Sequence, residues 1–366
     1  MTYRVLEVLG SLGHGGAESM VLNYSRKLPG LGVRVDFLVH AKGDASYEAV
    51  AEGLGGNIYY VETPGKLGPI KYVREMLNVL RDSGPFNVVH AHTNAQSGLV
   101  MAAAKLAHVP IRIPHSHNTV FNCSQAQLHI NRALVNCFAT NRLACGEEAG
   151  RALYGNKPFL VINNAINVDD YIYCNHNDLA YRHSLGIDDD ACVVGHVGRF
   201  VPQKNHEFIL ALASKAKKQG LNAVFVLVGD GRKMDEMKDL VESSSLLVES
   251  VKFLGIRDDM PDLYSMFDVL LLPSRFEGLP LTLVEAQSSS LHCLVSEAVT
   301  TECDLGLDLL EYLPLDEDIW FEKLVSCMNQ NRVHLNPDLI KSAAKRYDSN
   351  EQIRQLAKCY QIPERQ

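Results

Sequence analysis

The fold is decided by residues 192–230, which read CVVGHVGRFVPQKNHEFILALASKAKKQGLNAVFVLVGD. Apolar runs at Cys192–Phe200 and Asn222–Asp230 predict two buried strands, and the apolar spacing between them predicts a helix over Asn205–Gln219. Two strands joined by a helix run parallel, and a continuously apolar strand is covered by helices on both faces of its sheet. The segment therefore predicts one βαβ unit of a doubly wound sheet.

The same alternation continues in both directions along the chain. Predicted strands of the first half are Val5–Gly10, Val33–His40, Asn57–Glu62, Asn87–His92, Ile111–His117, Asn141–Gly146 and Phe159–Ile166. The second half adds strands Ser250–Gly255, Val269–Ser274 and Cys293–Glu297 and helices Met260–Phe267 and Leu283–Ser289. Residues 171–190 are polar and are interpreted as a linker. We therefore predict an α/β protein of two Rossmann-like doubly wound domains, over 1–175 and 190–345, that face each other across a cleft.

Composition narrows the class of protein. The chain has 366 residues, of which 46% are apolar and 21% charged, as two globular domains require. Its net charge of −8 argues against general nucleic-acid binding. The sequence has no apolar run long enough for a transmembrane helix and no signal peptide, so we expect a cytoplasmic protein. The nine cysteines are scattered, so we expect free thiols rather than zinc ligands or disulfides.

A glycine-rich loop follows the first predicted strand. It contains Gly10, Gly13, Gly15 and Gly16 and precedes a helical pattern, so its amides and the helix N-terminus can approach a phosphate. A tight turn without a ligand is the alternative. The spacing differs from the G-x-G-x-x-G of nicotinamide dinucleotide sites, and Asp36 lies inside the second strand rather than at its end. A dinucleotide-dependent dehydrogenase is therefore disfavoured.

Charged residues follow the first strand of the second half. Gly198 and Arg199 end that strand and Lys204 precedes the next helix, so both cations are predicted at the carboxyl end of the strand, where they can clamp a diphosphate. Solvated surface charges are the alternative. Gly229 and Gly231 form a second glycine turn after the next strand.

Two glutamates stand eight residues apart in residues 274–286, SRFEGLPLTLVEA. This spacing alone arises by chance. Its context is more informative, because Glu277 follows a buried strand and Glu285 falls inside the next predicted helix. A loop carboxylate with exposed amides can bind sugar hydroxyls, and a helical carboxylate can bind a ribose diol.

With these motifs in order, the chain resembles the retaining glycosyltransferases of family 4, which have the GT-B fold. Within that family it is similar to the cytosolic transferases of bacterial capsule and exopolysaccharide synthesis. Further matching motifs are Gly-Gly-Ala-Glu at 15–18, Val-His-Ala-His-Thr at 89–93, His-Ser-His-Asn-Thr at 115–119 and Ala-Cys-Gly-Glu at 144–147. The resemblance extends over nearly the whole chain.

The resemblance implies a reaction and its substrates. A hexosyl or N-acetylhexosaminyl group would pass with retention from a nucleotide sugar, which we expect to be a UDP-sugar, to a saccharide acceptor. The acceptor would be linked to a lipid such as undecaprenyl diphosphate, which implies peripheral contact with the inner face of the cell membrane. No cofactor and no metal is expected, because no Asp-x-Asp motif stands in a matching position. The helix pattern in the C-terminal segment 346–366, over Asn350–Tyr360, would cross back to the first domain.

The resemblance also implies roles for matching residues. Arg199 and Lys204 would neutralise the diphosphate, Glu285 would bind the ribose, and Glu277 would address the transferred sugar. The predicted catalytic residues are His117, Arg199, Lys204 and Glu277. The predicted donor-binding residues are Gly15, Gly16, His115, Asn118, Gly198, Gly229, Gly231, Gly278, Leu279, Pro280, Leu281 and Glu285. His117 is preferred as the active-site histidine because the polar Asn118 follows it, and His115 is the alternative.

Some positions depart from the family pattern, and two other functions remain open. Ser288–His292 reads SSSLH where relatives have Ala-x-Gly-Leu-Pro, and Asn163–Ala165 replaces Pro-Asn-Gly. Neither change removes a proposed donor ligand. A sugar-nucleotide 2-epimerase shares the architecture and would rearrange its substrate without an acceptor. A non-catalytic partner of another transferase is the second alternative, although the Arg/Lys and Glu pairs that such a partner would lose are both present.

Overall fold

A computed structural model describes residues 2–13, 16–121, 123–172, 178–330 and 332–363. The chain divides into two compact units, one of residues 1–165 with 349–366 and the other of residues 166–348. The division therefore falls after Ala165 rather than near residue 175. In the described part of 171–190, predicted to be a linker, Asp178–Ser184 is helical and lies in the second unit.

The first unit contains a parallel sheet with the strand order β3-β2-β1-β4-β5-β6-β7. Its strands are β1 (Tyr3–Leu9), β2 (Val33–Val39), β3 (Ile58–Tyr60), β4 (Val88–Ala91), β5 (Ile111–Ser116), β6 (Leu143–Ala144) and β7 (Leu160–Val161). Its first helices are α1 (Gly16–Ser25), α2 (Ala45–Gly53), α3 (Pro64–Leu67), α4 (Pro69–Asp82), α5 (Ser97–Leu106), α6 (Gln125–Phe138) and α7 (Glu147–Tyr154).

The second unit contains a parallel sheet with the order β10-β9-β8-β11-β12-β13. Its strands are β8 (Cys192–Val197), β9 (Ala223–Val228), β10 (Val251–Gly255), β11 (Val269–Leu272), β12 (His292–Ser296) and β13 (Leu310–Leu313). Its helices are α8 (Val168–Tyr171), α9 (Asp178–Ser184), α10 (His206–Lys218), α11 (Met234–Glu242), α12 (Met260–Met266), α13 (Leu281–Ser288), α14 (Glu317–Met328) and α15 (Pro337–Ala343). The last helix of the chain, α16 (Ser349–Tyr360), belongs to the first unit.

Both sheets are buried on two faces, as their continuous apolar strands predict. In β1, Val5 and Leu9 pack in a core with α1 and α16, whereas Leu6 and Val8 pack in a separate core with α4 and α5. This period-two alternation puts Glu7 on the face that α1 and α16 cover. The two parallel α/β sheets confirm the predicted fold class. Among the described residues, none of the helices combines the length and apolar character needed to span a lipid bilayer.

A glycine in the central strand β8 allows close packing of a helix end. A Cβ at Gly195 would lie 2.3 Å from Phe267 Cδ2, on a ring that is fully buried at the end of α12. Such overlap forces a shift of the ring or of the strand. The substitution Gly195→Ala should therefore destabilise the protein by about 1–3 kcal/mol, measured as a lower midpoint of urea unfolding.

Gly53→Ala is the matched control for this prediction. A Cβ at Gly53 meets nothing within 4 Å, and the residue lies in α2. Alanine at a helical position reduces the entropy of the unfolded chain and should leave the midpoint unchanged or raise it. Equal midpoints for Gly195→Ala and the wild type would contradict the packing described for β8.

Candidate active site

The predicted site residues of the second unit follow neighbouring parallel strands. Arg199 follows β8, Gly229 follows β9 and Glu277 follows β11, and β8 is hydrogen-bonded to both other strands. Because parallel strands end at the same edge of the sheet, their loops meet there, as in other open α/β sheets. The structure thus brings the cationic, glycine and glutamate motifs to one edge.

Glycines allow the loops after β8 and β9 to pack against each other. Gly229 has φ 131°, and a Cβ there would lie 2.2 Å from the Gly198 carbonyl oxygen. A Cβ at Gly231 would lie 2.6 Å from the Phe200 carbonyl oxygen, and one at Gly198 would lie 3.0 Å from Lys204 Cε. The three predicted glycines therefore serve close backbone packing around Lys204.

Lys204 and Glu277 form a well-buried ion pair. Lys204 Nζ lies 2.7 Å from Glu277 Oε1, and the side chains are only 13% and 9% exposed. Glu277 Oε2 accepts a hydrogen bond of 3.2 Å from Gln203 Nε2. In contrast, the Arg199 side chain is exposed and forms no ion pair within the part of the chain that the structure describes. Two predicted catalytic residues are thus in contact, and a third offers a free positive charge after the same strand.

The loop before α10 is fastened to the loop after β11. The Arg275 amide donates to the Gln203 carbonyl at 2.8 Å, and Gln203 Nε2 donates to the Phe276 carbonyl at 2.9 Å. Asn205 adopts the left-handed conformation with φ 59°, and its side-chain Nδ2 donates to the Pro273 carbonyl. These bonds fix the loop that carries Lys204 relative to the loop that carries Glu277.

Glu285 lies in α13, and its carboxylate accepts hydrogen bonds from two tyrosines. Tyr264 donates to Oε2 at 2.7 Å and Tyr171 donates to Oε1 at 3.3 Å. Burial raises the pKa of Glu285, and these two hydrogen bonds offset only part of that effect. The sequence analysis missed both tyrosines, because no local motif links them to Glu285.

The turn from Glu277 into α13 carries the predicted donor-binding residues Gly278 to Leu281, of which Pro280 has no amide hydrogen. Gly278 is exposed, Leu279 and Leu281 are half-buried and Pro280 is buried. Helix α13 begins at Leu281 and Pro280 provides no side-chain cap. The Leu283 amide donates to the Pro280 carbonyl at 3.1 Å, so the amides of Leu281 and Thr282 are those of the first turn that can bind a ligand oxygen. Whether these amides contact a sugar stays a prediction.

In the first unit, Gly16 is the first residue of α1 and is exposed. Its neighbour Gly15, also a predicted donor ligand, lies outside the described residues. A helix N-terminus of this kind attracts an anion, but its role toward a donor phosphate stays a prediction.

Four histidines at the ends of β4 and β5 contact each other: His90 and His115 lie in these strands, and His92 and His117 directly follow them. His115 is fully buried, whereas His117 is half-buried and Asn118 is exposed. His92 Nδ1 lies 2.8 Å from His117 Nε2, and His90 Nε2 lies 3.2 Å from His115 Nδ1. Burial, reinforced by the other histidines, lowers the pKa of both His115 and His117 well below the usual value.

A buried carboxylate that the sequence analysis missed anchors this cluster. Glu7 in β1 is inaccessible to solvent, and His92 Nε2 lies 2.9 Å from its Oε2. Tyr360, in α16, donates to Glu7 Oε1 at 2.8 Å. Burial alone would raise the pKa of Glu7, but His90 and His92 outweigh it and hold the pKa at about 2. The one sequence signal was a charge in the middle of a buried strand.

Three of these imidazoles also have the spacing of potential metal ligands. One ring nitrogen from each of His90, His92 and His115 lies within 4.8 Å of the others. Neutral imidazole is a common ligand of zinc and other transition metals. The hydrogen bonds to Glu7 and between the rings also explain why these histidines lie together.

Comparisons with known proteins show which proteins this chain is similar to. A model of glycosyl transferases group 1 matches residues 178–305, and a model of a glycosyl transferase 4-like domain matches residues 15–154. EpsF of Bacillus subtilis, which carries the name of a glycosyltransferase, is 36% identical over 98% of this chain and 96% of its own length. The capsular polysaccharide biosynthesis glycosyltransferase CapH of Staphylococcus aureus is 26% identical over 80% of each chain.

Solved structures have the same fold. HepE of Anabaena in complex with UDP has a TM-score of 0.78 at 21% identity, with 99% of this chain and all of that chain covered. Two parallel-sheet Rossmann-like units define the GT-B fold of glycosyltransferases. The chain belongs to the glycosyltransferase family of EpsF, which confirms the resemblance read from the sequence.

The raised pKa of Glu285 predicts a specific pH dependence of stability. The folded protein holds the proton of Glu285 more tightly than the unfolded chain does, because the ordinary pKa of a glutamate is 4.5 and burial raises it in the folded state. The stabilisation is therefore complete below pH 4.5 and is lost as the pH rises through the folded-state pKa. Glu285→Gln, which imitates the neutral acid, should remove this loss. The free energy of urea unfolding between pH 4.5 and 8 should fall less steeply than in the wild type.

The control is Glu249→Gln, at an exposed glutamate that pairs with Lys217. This variant should keep the wild-type pH profile, because an exposed pair contributes little to stability. A Glu285→Gln profile that runs parallel to the wild type would show that Glu285 is ionised at no cost in the folded protein.

Proposed function

We propose that this glycosyltransferase moves a sugar, with retention of configuration and without a metal ion, from a UDP-sugar to a lipid-linked saccharide acceptor in capsule or exopolysaccharide synthesis. The observation that carries the proposal is the ion pair of Lys204 with Glu277, with Arg199 exposed after the same strand. Two positive charges and a carboxylate thus follow neighbouring strands of one sheet, and we propose that this carboxylate binds the sugar.

Arg199 and Lys204 are proposed to hold the diphosphate of the donor. In the structure Glu277 neutralises Lys204, so the cation is kept in a defined position before a ligand arrives. A diphosphate carries more negative charge than one carboxylate and would recruit both cations. Gly16 keeps its predicted role as an amide donor to a phosphate oxygen.

The uridine part of the proposal rests on relatives. HepE of Anabaena was solved with UDP and also with UDP-glucose. A relative from Escherichia coli is named as a UDP-Gal:alpha-D-GlcNAc-diphosphoundecaprenol alpha-1,3-galactosyltransferase and is 30% identical over 60% of this chain. We propose that Glu285 grips the ribose, with Tyr264 and Tyr171 orienting its carboxylate.

The charges proposed for the site support metal independence, and attack by the acceptor on the face that the phosphate leaves would give retention. Fixed cations stabilise negative charge as it grows on the departing diphosphate, which is the role that Mg²⁺ has in other transferases. The departing phosphate would take the proton of the acceptor hydroxyl, which attacks on the same face of the sugar. Glu277 and the amides of Gly278, Leu279 and Leu281 would hold the transferred sugar.

The acceptor is proposed to be a saccharide on a lipid diphosphate, as in the name of the Escherichia coli relative. Such an acceptor is confined to the membrane surface, so the enzyme would work in the cytoplasm in peripheral contact with the inner face of the membrane. Exopolysaccharide or capsule synthesis is the setting, in keeping with the names of CapH and of the other polysaccharide transferases among its relatives.

Lys204→Ala and Glu285→Ala should each lower kcat/KM for transfer by about 10²–10³-fold while the protein stays folded. The first loses a cation on the leaving group and the second loses the ribose ligand. Initial rates with a panel of UDP-, GDP- and ADP-sugars measure the effect, and thermal unfolding reports folding.

Lys215→Ala is the control, since Lys215 in α10 also forms an ion pair, with Asp318, but lies away from the proposed donor ligands. It should transfer sugar at the wild-type rate. Full activity of Lys204→Ala with any donor would refute the proposed donor site.

The anomeric configuration and identity of the product test the reaction. With an α-linked UDP-sugar and a lipid-linked acceptor, NMR of the product should show an α-linked sugar, and excess EDTA should leave the rate unchanged. An inverted linkage would refute retention, and loss of activity in EDTA that added Mg²⁺ restores would refute metal independence. A rearranged sugar formed without acceptor would instead identify a 2-epimerase.

A further inference from the structure

Glu7 is a buried carboxylate surrounded by hydrogen-bond donors. Its Oε1 accepts from the Tyr360 hydroxyl at 2.8 Å, and its Oε2 lies 2.9 Å from His92 Nε2 and 3.3 Å from His90 Nδ1. An ionised carboxylate can only accept hydrogen bonds, and burying it is tolerated when such donors are present. His92 Nε2 also lies 3.2 Å from the Tyr24 hydroxyl, but its shorter contact is with the Glu7 carboxylate, which can only accept. The contact with Glu7 therefore assigns a proton to His92 Nε2.

This assignment determines the direction of the next hydrogen bond. A neutral imidazole has one donor nitrogen and one acceptor nitrogen. His92 is buried, and its ring centroid lies 4.1 Å from that of His90 and 5.1 Å from that of His117. A buried site among other imidazoles disfavours a second proton, so the His92 ring carries one proton at neutral pH. With that proton on Nε2, its Nδ1 is an acceptor. Nδ1 lies 2.8 Å from His117 Nε2, which must then be the donor.

We propose that Glu7 and His92 are positioning residues that hold His117 as the Nε2–H tautomer, so that His117 Nδ1 presents a hydrogen-bond acceptor to a hydroxyl of the substrate. The identity of that hydroxyl as one belonging to the sugar or to the acceptor rests on the proposed function. The tautomer itself follows from the contacts within the first unit.

The burial of the three groups supports this order. Glu7 and His92 are buried, whereas His117 is half-buried and follows β5 at the carboxyl edge of the sheet. His117, the last of the three hydrogen-bonded groups Glu7, His92 and His117, is therefore the one that reaches toward solvent. Orientation of a ring by a carboxylate through a hydrogen bond is how catalytic histidines and metal-bound histidines are fixed in other proteins.

His90 and His115 form a second hydrogen-bonded pair beside His92 and His117. His90 Nδ1 lies 2.7 Å from the Tyr360 hydroxyl, and the stacked rings of His90 and His115 are 5.2 Å apart. His115 is fully buried and its Nε2 has no hydrogen-bond partner among the described residues. It is therefore unsuited to contact a substrate, and the half-buried His117 is favoured for that role.

The tautomer can be measured directly in the wild-type protein. Long-range ¹H–¹⁵N NMR of the histidine rings at pH 7 should show a protonated Nε2 and an unprotonated Nδ1 for His117, assigned by its absence in His117→Asn. A protonated Nδ1 would overturn the proposal. Metal-bound ring nitrogens with stoichiometric metal in the purified protein would overturn it as well, in favour of a site at His90, His92 and His115.

Glu7→Gln tests the role of the carboxylate. It removes the charge and leaves one acceptor oxygen in place of two, so the preference of His92 for Nε2–H should be lost. The His117 signals should shift toward the other tautomer, and kcat should fall by about 10–100-fold. Wild-type ring signals together with wild-type kcat in Glu7→Gln would overturn the proposal.

Tyr360→Phe is the matched variant, because it also removes a hydrogen bond of Glu7 but no link between Glu7, His92 and His117. It should lower the thermal midpoint about as much as Glu7→Gln while keeping the His117 tautomer. Equal changes of the tautomer in both variants would show that the rings respond to packing alone. If the wild type transferred no sugar from any donor, the proposed function would fail, and the NMR result would still decide the tautomer.

Discussion

Close approach between the loops after β8 and β9 is the constraint on which the second unit's site depends. Any side chain at Gly229 would overlap the Gly198 carbonyl, and one at Gly231 would overlap the backbone of Phe200. With glycine at these positions, the β8 loop lies flat against its neighbour and continues directly to Lys204 and α10. The position of the cation is therefore determined by backbone packing rather than by its own long side chain.

The chain stabilises three buried carboxylates in different ways, and each way suits a different task. Glu277 is paired with the ammonium group of Lys204. Glu285 accepts hydrogen bonds from two tyrosine hydroxyls, and its burial raises its pKa. Glu7 is buried with the Tyr360 hydroxyl and two imidazoles around it, and the imidazoles of His90 and His92 lower its pKa. The environment of each carboxyl group, rather than its type, sets its chemistry.

Strands with long apolar runs were predictable from the sequence, and parts with mixed character were not. Strand β13 was missed because it is a four-residue edge strand of mostly half-buried residues. Part of the segment predicted to be a linker packs in the second unit, because Ile187, which stands among polar residues in the sequence, lies in that unit's core and Leu185 packs against it. Among the family departures, Ser290 stands where relatives have glycine and still adopts φ 57°. The Glu277 and Lys204 motifs were predictable, whereas Glu7, Tyr264 and Tyr171 were not, because their contacts join distant parts of the chain.

The placement of α16 has a consequence for the order in which the protein is made. Residues 166–348 are contiguous, so the ribosome releases all of the second unit before it reaches α16. The first unit is synthesised earlier, yet Ile353, Leu356 and Tyr360 complete the core on one face of its sheet. Until α16 has been synthesised, that face and the carboxylate of Glu7 lack their cover. The first unit therefore acquires its final packing only after the whole second unit has been made, although domains generally fold in the order of synthesis.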